Sequence, residues 1–186
     1  MIYALIDKET LFKRGVSLTH FSQKLELLNI PIAQYRNKSG SLDEMKKDLQ
    51  LIREYYHGKL IVNDAIELID YADGLHLGQE DIRLYANNKE DAITMIRQKI
   101  FNKILGLSTH NREEILEANG LNLDYIGLGA YRGTPTKIEA KVLGNDALVL
   151  AKLSNHPVGL IGGVKLSDTF NSEIHYKVIG SDLYEN

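Results

Sequence analysis

The chain contains no cysteine, so disulfides, thiolate metal sites and a cysteine nucleophile are all excluded. That absence suits a reducing compartment, and the expected location is the cytoplasm. Long apolar runs are missing too: no stretch approaches the roughly 20 residues needed to cross a bilayer. The opening Met1-Ile2-Tyr3-Ala4-Leu5-Ile6 meets charge too soon to read as a signal peptide. Net positive charge is lacking, with a formal value of −3, so nothing draws the chain generally to nucleic acid or to an anionic membrane. Any cationic site must be local. Repeats and low-complexity segments are absent. Glycine is missing from Ile6-Asp7-Lys8-Glu9-Thr10 after the first apolar run, where an open dinucleotide-binding sheet usually carries its glycine-rich turn.

What is present is an ordinary globular composition, 44% apolar and 25% charged over 186 residues, which fits one domain spanning the whole chain. Short apolar runs alternate with longer segments of helical period. The runs at 2–6, 31–35, 60–63, 74–77, 104–108, 125–129, 158–162 and 176–180 are continuous rather than alternating, as expected of strands covered on both faces. Between them, Leu42, Met45, Leu49, Ile52 and Tyr56 recur at helical spacing. Ser41 with Glu44, and Asn111 with Glu114, have the spacing of capping boxes. Eight such strands predict an α/β fold, a compact (β/α)8 barrel. Since six residues follow Gly180, the last helix is expected to be shortened or missing. The length sits below the roughly 200 residues at which such barrels usually begin.

The polar residues that carry chemistry fall at the predicted ends of strands. Gln34, Arg36 and Lys38 alternate, so they share one face if the extended chain persists. Arg offers a planar fork of donors to phosphate oxygens and Lys a compact charge, although the same pentapeptide also suits a solvated basic loop. Asp64 and Asp81 follow consecutive strands, near enough for both to reach one cation. Magnesium takes one or two protein carboxylates and leaves its other positions to water and phosphate. Each aspartate alone reads equally as a helix-start acid. His76, mid-strand between leucines, reads as an interior hydrogen-bonded residue, and His110 as either a rim base or part of the Asn111 cap. Ser108 ends a strand at the same mouth. Thr134, Thr136 and Lys137 lie in a glycine-bearing loop suited to phosphate oxygens, with Thr136 alternatively a helix cap. Gly162-Gly163 and Gly180-Ser181 match the phosphate site that such barrels place after strands seven and eight.

The segments QYRNK, IVND, GLHLGQED, GLSTHN, DYIGLGAYRGTPTK and LIGGV, in this order, resemble thiamine-phosphate synthase and its relatives over nearly the whole chain. The resemblance implies a transferase that joins a hydroxymethylpyrimidine pyrophosphate to a thiazole phosphate, with Mg2+ assisting the release of pyrophosphate. It implies that Gln34 contacts the pyrimidine, that Arg36, Lys38, Asn63, Ser108 and Lys137 bind the pyrophosphate, and that Asp64 and Asp81 hold the magnesium. Arg36, Lys38, Ser108 and Lys137 would carry the catalysis. Thr134 and Thr136 would line the thiazole side, with Gly163 and Ser181 on the thiazole phosphate. Four features depart from the relatives: Ala65 in place of an Arg, Ala130 in place of a proline, Ile82-Arg83 in place of an apolar-proline pair, and the little chain that follows Ser181. The last predicts weaker binding of the thiazole phosphate than of the pyrimidine pyrophosphate. The partners expected are these small phosphorylated molecules, with no nucleic acid and no membrane; a homo-oligomer is compatible with the sequence. Two rival readings are a thiazole tautomerase of the same superfamily, working by acid–base chemistry at His110, and a non-catalytic barrel that binds a phosphate ligand.

Overall fold

The computed structural model describes residues 1–133 and 142–185. Within them the strands β1 (Ile2–Asp7), β2 (Ile32–Arg36), β3 (Lys59–Asn63), β4 (Gly74–Leu77), β5 (Ile104–Thr109), β6 (Tyr125–Leu128), β7 (Val158–Leu160) and β8 (Ile174–Ile179) close into a parallel barrel in sequence order. Closure is made by β8 pairing with β1, Val178 opposite Tyr3. The first strand runs through Asp7, a residue beyond its apolar stretch. The seventh stops at Leu160, two residues short of the run in the sequence. There the chain turns to meet the loop after β6: Tyr131 donates its N–H to the Ile161 carbonyl and Arg132 to that of Gly162.

The covering layer is uneven. The helices α1 (Lys8–Lys13), α2 (Leu18–Leu27), α3 (Leu42–Tyr55), α4 (Lys89–Ile100), α5 (Arg112–Ala118), α6 (Asp146–Ala151) and α7 (Ser181–Glu185) are joined by two short 3-10 turns, Ile66–Tyr71 and Asp81–Leu84. Helix α3 starts at the Ser41–Glu44 capping box, with both reciprocal bonds made. It lays Met45, Leu49 and Ile52 on the barrel, while Leu42, the first member of the same stripe, stays exposed. The Asn111 side chain caps α5 at Glu114, but Glu114 reaches back to the amide of His110 rather than to that of Asn111. Between β3 and β4 the connection is a 3-10 turn, and among the described residues no helix links β7 to β8. These two economies explain how a full barrel fits a chain of this length. The last helix is the expected stub.

That stub is well anchored. The Tyr184 hydroxyl accepts from the Asp7 amide at 3.0 Å and donates to the Leu5 carbonyl, and its ring meets Phe21 edge-on at 4.8 Å. Lys24 donates to the Leu183 carbonyl at 2.8 Å. At the opposite, N-terminal end of the strands a motif occurs twice. The Asp73 carboxylate accepts the Leu60 amide of β3 and pairs with Arg53 of α3. The Asp124 carboxylate accepts the Leu105 amide of β5 and pairs with Arg97 of α4. Each arginine comes from the helix before a strand, and each aspartate from just before the next strand. The charge pair therefore ties a helix to two neighbouring strands.

The barrel interior holds unusually large side chains for so small a ring. Tyr3, Tyr125 and Tyr176 meet edge-to-face, with centroids 5.7–5.9 Å apart, and Ile32, Ile61 and Val178 pack with them. Space comes from the neighbouring strand: a Cβ at Gly106 would lie 2.2 Å from the Tyr125 ring, so only glycine is tolerated there.

Candidate functional site

Of the residues singled out from the sequence, Gln34, Arg36, Asn63, Asp64, Asp81 and Ser108 lie at or just beyond the C-terminal ends of β2 to β5, where barrels of this kind carry their chemistry. Register places them. Asp7 sits opposite Arg36, Asn63 opposite His76, His76 opposite Gly106 and Ser108 opposite Gly127. With side chains alternating along each strand, Gln34 and Arg36, then Asn63, then His76, then Ser108 all belong to the interior face.

Arg36 is held by a residue that the sequence pattern left unassigned. Its guanidinium donates to Asp7 Oδ2 at 2.5 Å, and Asp7 is buried. Asp7 Oδ1 also accepts the Thr10 amide at 2.9 Å and the Thr10 hydroxyl at 2.6 Å, which starts α1. The carboxylate is thus both a helix cap and an orienting partner for the arginine fork. The signal for the cap was present, an Asp closing the first apolar run with Thr three residues on. The pairing with Arg36 needed the register. The extended chain does not persist to Lys38: Asn37 Oδ1 accepts the Gly40 amide at 3.0 Å and bends the loop, leaving Lys38 exposed. Its charge nevertheless acts on Asp64, so the loop after β2 and the end of β3 face one region.

Asp64 and Asp81 converge. Asp64 adopts a left-handed backbone, φ 63°, a conformation that aspartate accepts more readily than most residues. Its amide is fixed to the His76 carbonyl at 2.9 Å. Asp81 follows β4, and its carboxylate accepts the Gly78 amide at 3.2 Å. A Cβ at Gly78 would stand 2.5 Å from that same oxygen, so glycine lets the aspartate fold back toward Asp64. The two carboxyl groups are near enough for the charge of one to act on the other. Burial first, and the Asp81 charge second, push the Asp64 carboxyl up to about 6, against the opposing pull of Asn63 and Lys38. Asn63 Nδ2 donates directly to Asp64.

Deeper in the barrel, Gln34 donates from Nε2 to the Tyr3 hydroxyl at 3.0 Å. His76 is buried, as expected of an interior histidine, with Nδ1 2.9 Å from the Tyr125 hydroxyl and Nε2 2.9 Å from Ser108 Oγ. Gln79 Nε2 donates to the Ser108 carbonyl at 2.6 Å, linking the loop after β4 to the end of β5. His110, by contrast, lies exposed with Nδ1 3.0 Å from Glu114, within the α5 cap. Gly163 follows β7, and its carbonyl accepts from Arg132, which also grips Asp168 through both guanidinium nitrogens. Ser181 opens α7. Thr134, Thr136 and Lys137 lie outside the described residues.

The sequence profile described as thiamine monophosphate synthase matches residues 2–172. The thiamine-phosphate synthase of Koribacter versatilis is 30% identical over 171 residues, 88% of this chain and 77% of that protein. The chain belongs to the thiamine monophosphate synthase family. The Persephonella marina thiamine-phosphate synthase is 38% identical over 140 residues, 72% of this chain and 63% of the relative. A solved thiamine phosphate pyrophosphorylase from Pyrococcus furiosus superimposes with a TM-score of 0.74 at 25% identity, covering 98% of this chain and 90% of that one. The fold alone is shared with a geranylgeranylglyceryl phosphate synthase from Thermoplasma acidophilum, TM-score 0.62 at 11% identity.

Proposed function

We propose that this chain, like the thiamine-phosphate synthases of its family, is a transferase that joins hydroxymethylpyrimidine pyrophosphate to thiazole phosphate and releases pyrophosphate. The observation that carries the reading is the convergence of Asp64 and Asp81 beside Arg36, Asn63 and Lys38 at one mouth. Two neighbouring carboxyl groups, one of them pushed up by burial and by the charge of the other, form a site whose repulsion a divalent cation relieves. Among the described residues no cluster of three or more His, Asp or Glu side chains offers a closed metal cage. A pair is what magnesium bound mainly through phosphate and water requires. Asp64 and Asp81 would hold it, and Mg2+ when bound neutralises pyrophosphate charge.

The protein's own groups do the rest. Arg36, preset by Asp7, and Lys38 present cations to the pyrophosphate, and Asn63 adds a neutral donor. As the bond between the pyrimidine methylene carbon and the pyrophosphate oxygen breaks, its electron pair leaves on that oxygen. The cations there are worth more in the transition state than in the ground state. The thiazole nitrogen lone pair then forms the new bond to the methylene carbon, so no proton and no side-chain nucleophile is required. Gln34 sits below, able to fix the pyrimidine ring. Ser108 and Lys137 complete the leaving-group contacts in this reading, with Thr134, Thr136, Gly163 and Ser181 on the acceptor side. The tautomerase rival would rely on His110, which is engaged with Glu114 at an exposed helix start. Among the described residues no helix is long and apolar enough to cross a membrane, and a cytoplasmic setting is part of the proposal. Pyrophosphate release measured with each precursor alone and with both together tests it. Release only with both supports the synthase; release from neither combination overturns it.

A further inference from the structure

Five polar side chains from five strands form one unbroken line across the barrel: Gln34, Tyr3, Tyr125, His76 and Ser108. The links are Gln34 Nε2 to the Tyr3 hydroxyl at 3.0 Å, Tyr3 to Tyr125 hydroxyl at 2.8 Å, Tyr125 hydroxyl to His76 Nδ1 at 2.9 Å, and His76 Nε2 to Ser108 Oγ at 2.9 Å. Both tyrosines, Gln34 and His76 are buried, and the His76 ring stacks on Tyr125 with centroids 5.5 Å apart. Among the described residues no buried side-chain nitrogen or oxygen lacks a partner.

The line has a direction. An amide nitrogen only donates, so the Tyr3 hydroxyl accepts from Gln34, and giving its own proton to Tyr125 is the arrangement that leaves no buried hydroxyl proton unpaired. Tyr125 then donates to His76 Nδ1, leaving that nitrogen bare and placing the ring proton on Nε2. From there it is donated to Ser108 Oγ. The serine, already accepting, has its own proton free to point into the mouth, while Gln34 keeps its carbonyl oxygen as an acceptor. Reversing any one link reverses what both ends offer.

We propose that Tyr3 and Tyr125 are positioning residues that set the His76 tautomer, and through it make Ser108 a donor toward the pyrophosphate and leave Gln34 an acceptor toward the bound heteroaromatic ring. This rests on the synthase reading for the identity of the ring. The Gln34 end of the line selects a ring that carries an amino donor at that edge, as an aminopyrimidine does. A ring with an oxo group in place of the amino group would present an acceptor to the Gln34 carbonyl and be rejected.

The test combines a spectrum and a kinetic split. Protein labelled with 15N-histidine, free of substrate and above the pH where the ring is charged, should show His76 with Nδ1 bare and Nε2 protonated, assigned against His76→Gln. Tyr125→Phe, which keeps the ring and removes only the hydroxyl, should abolish that preference. It should raise KM for the pyrimidine substrate roughly tenfold, the usual effect of a lost buried bond, with KM for thiazole phosphate unchanged. If Tyr125→Phe does not fold, Tyr3→Phe should give the same changes more weakly, because Tyr125 keeps its contact with His76. Nδ1–H in the wild type, an unaltered tautomer in both variants, or equal rises in the two KM values would overturn the proposal. Wild-type protein without turnover would overturn the synthase reading alone, and the substrate-free spectrum would still decide the direction of the line.

Discussion

Asp64 binds its proton more tightly in the fold than its ordinary value of 3.8 would allow, because burial and Asp81 raise it to about 6. Between those two values the folded chain holds a proton that the unfolded chain has lost. Stability therefore falls as pH rises through that window and stays lower above it. Asp81→Asn should remove the repulsion, raising the unfolding midpoint of the ligand-free protein at pH 8 while leaving it nearly unchanged at pH 4. The same variant should lose the midpoint increase that magnesium with pyrophosphate gives the wild type. Thermal unfolding with and without these ligands checks both, and a lowered midpoint at pH 8 would mean that Asp81 is chiefly structural. Lys38 is the contrasting case, an exposed cation whose pull on Asp64 is small beside burial and Asp81. Lys38→Ala should leave the midpoint in place and lower kcat by about 100-fold, as removal of a group aimed at developing charge does. Equal turnover would return Lys38 to the solvated loop.

At the scale of elements, what was legible depended on how local the cause was. The runs at 74–77 and 104–108 were readable as strands because both faces are covered and, His76 apart, each residue in them is apolar or small. The α3 start was readable because a capping box is four residues long. Asp64, Asp81 and Arg36 were readable because strand ends announce themselves. The pairing of Arg36 with Asp7 and the line from Gln34 to Ser108 were not, since they join strands far apart in the chain and exist only once the barrel closes. His76 shows the limit well: its interior place was visible from Leu75 and Leu77, its two partners were not. The connection at Ile66–Tyr71 was also missed as a turn, because its apolar residues suit a helix as well as a 3-10 segment. The paired Arg–Asp ties beneath the barrel are another product of register. Burial raises the Asp73 carboxyl, but the Leu60 amide and Arg53 outweigh it and hold the group below 3.8. Its contribution is present above the unfolded value and disappears as pH falls through the folded one. Asp73→Ala, which leaves the Leu60 amide unpaired, should cost about 1–3 kcal/mol at neutral pH without changing KM. Urea unfolding measures it, and a change in KM would mean that the base of the barrel communicates with the mouth.

The whole molecule divides its work between the two ends of one short barrel. Stability is built at the N-terminal face by charge pairs that link helices to strands. The C-terminal mouth concentrates the destabilising features: the left-handed backbone of Asp64 and two neighbouring carboxyls. Crowded tyrosines occupy the ring between them, filling space that Gly106 leaves open, so the floor of the site is polar but fully bonded. A phosphorylated ligand with its cation is what would relieve the charges at the mouth, which is the sense in which the fold and the proposed chemistry belong together. The most direct measurement is thiamine phosphate formation from both precursors over a magnesium titration, in the wild type and in Asp81→Asn. The wild type should form no product without magnesium and saturate as it is added, and the variant should need at least about tenfold more, the equivalent of roughly 1.4 kcal/mol of lost cation binding. Product formed equally well without magnesium, or identical titrations for the two proteins, would contradict the account.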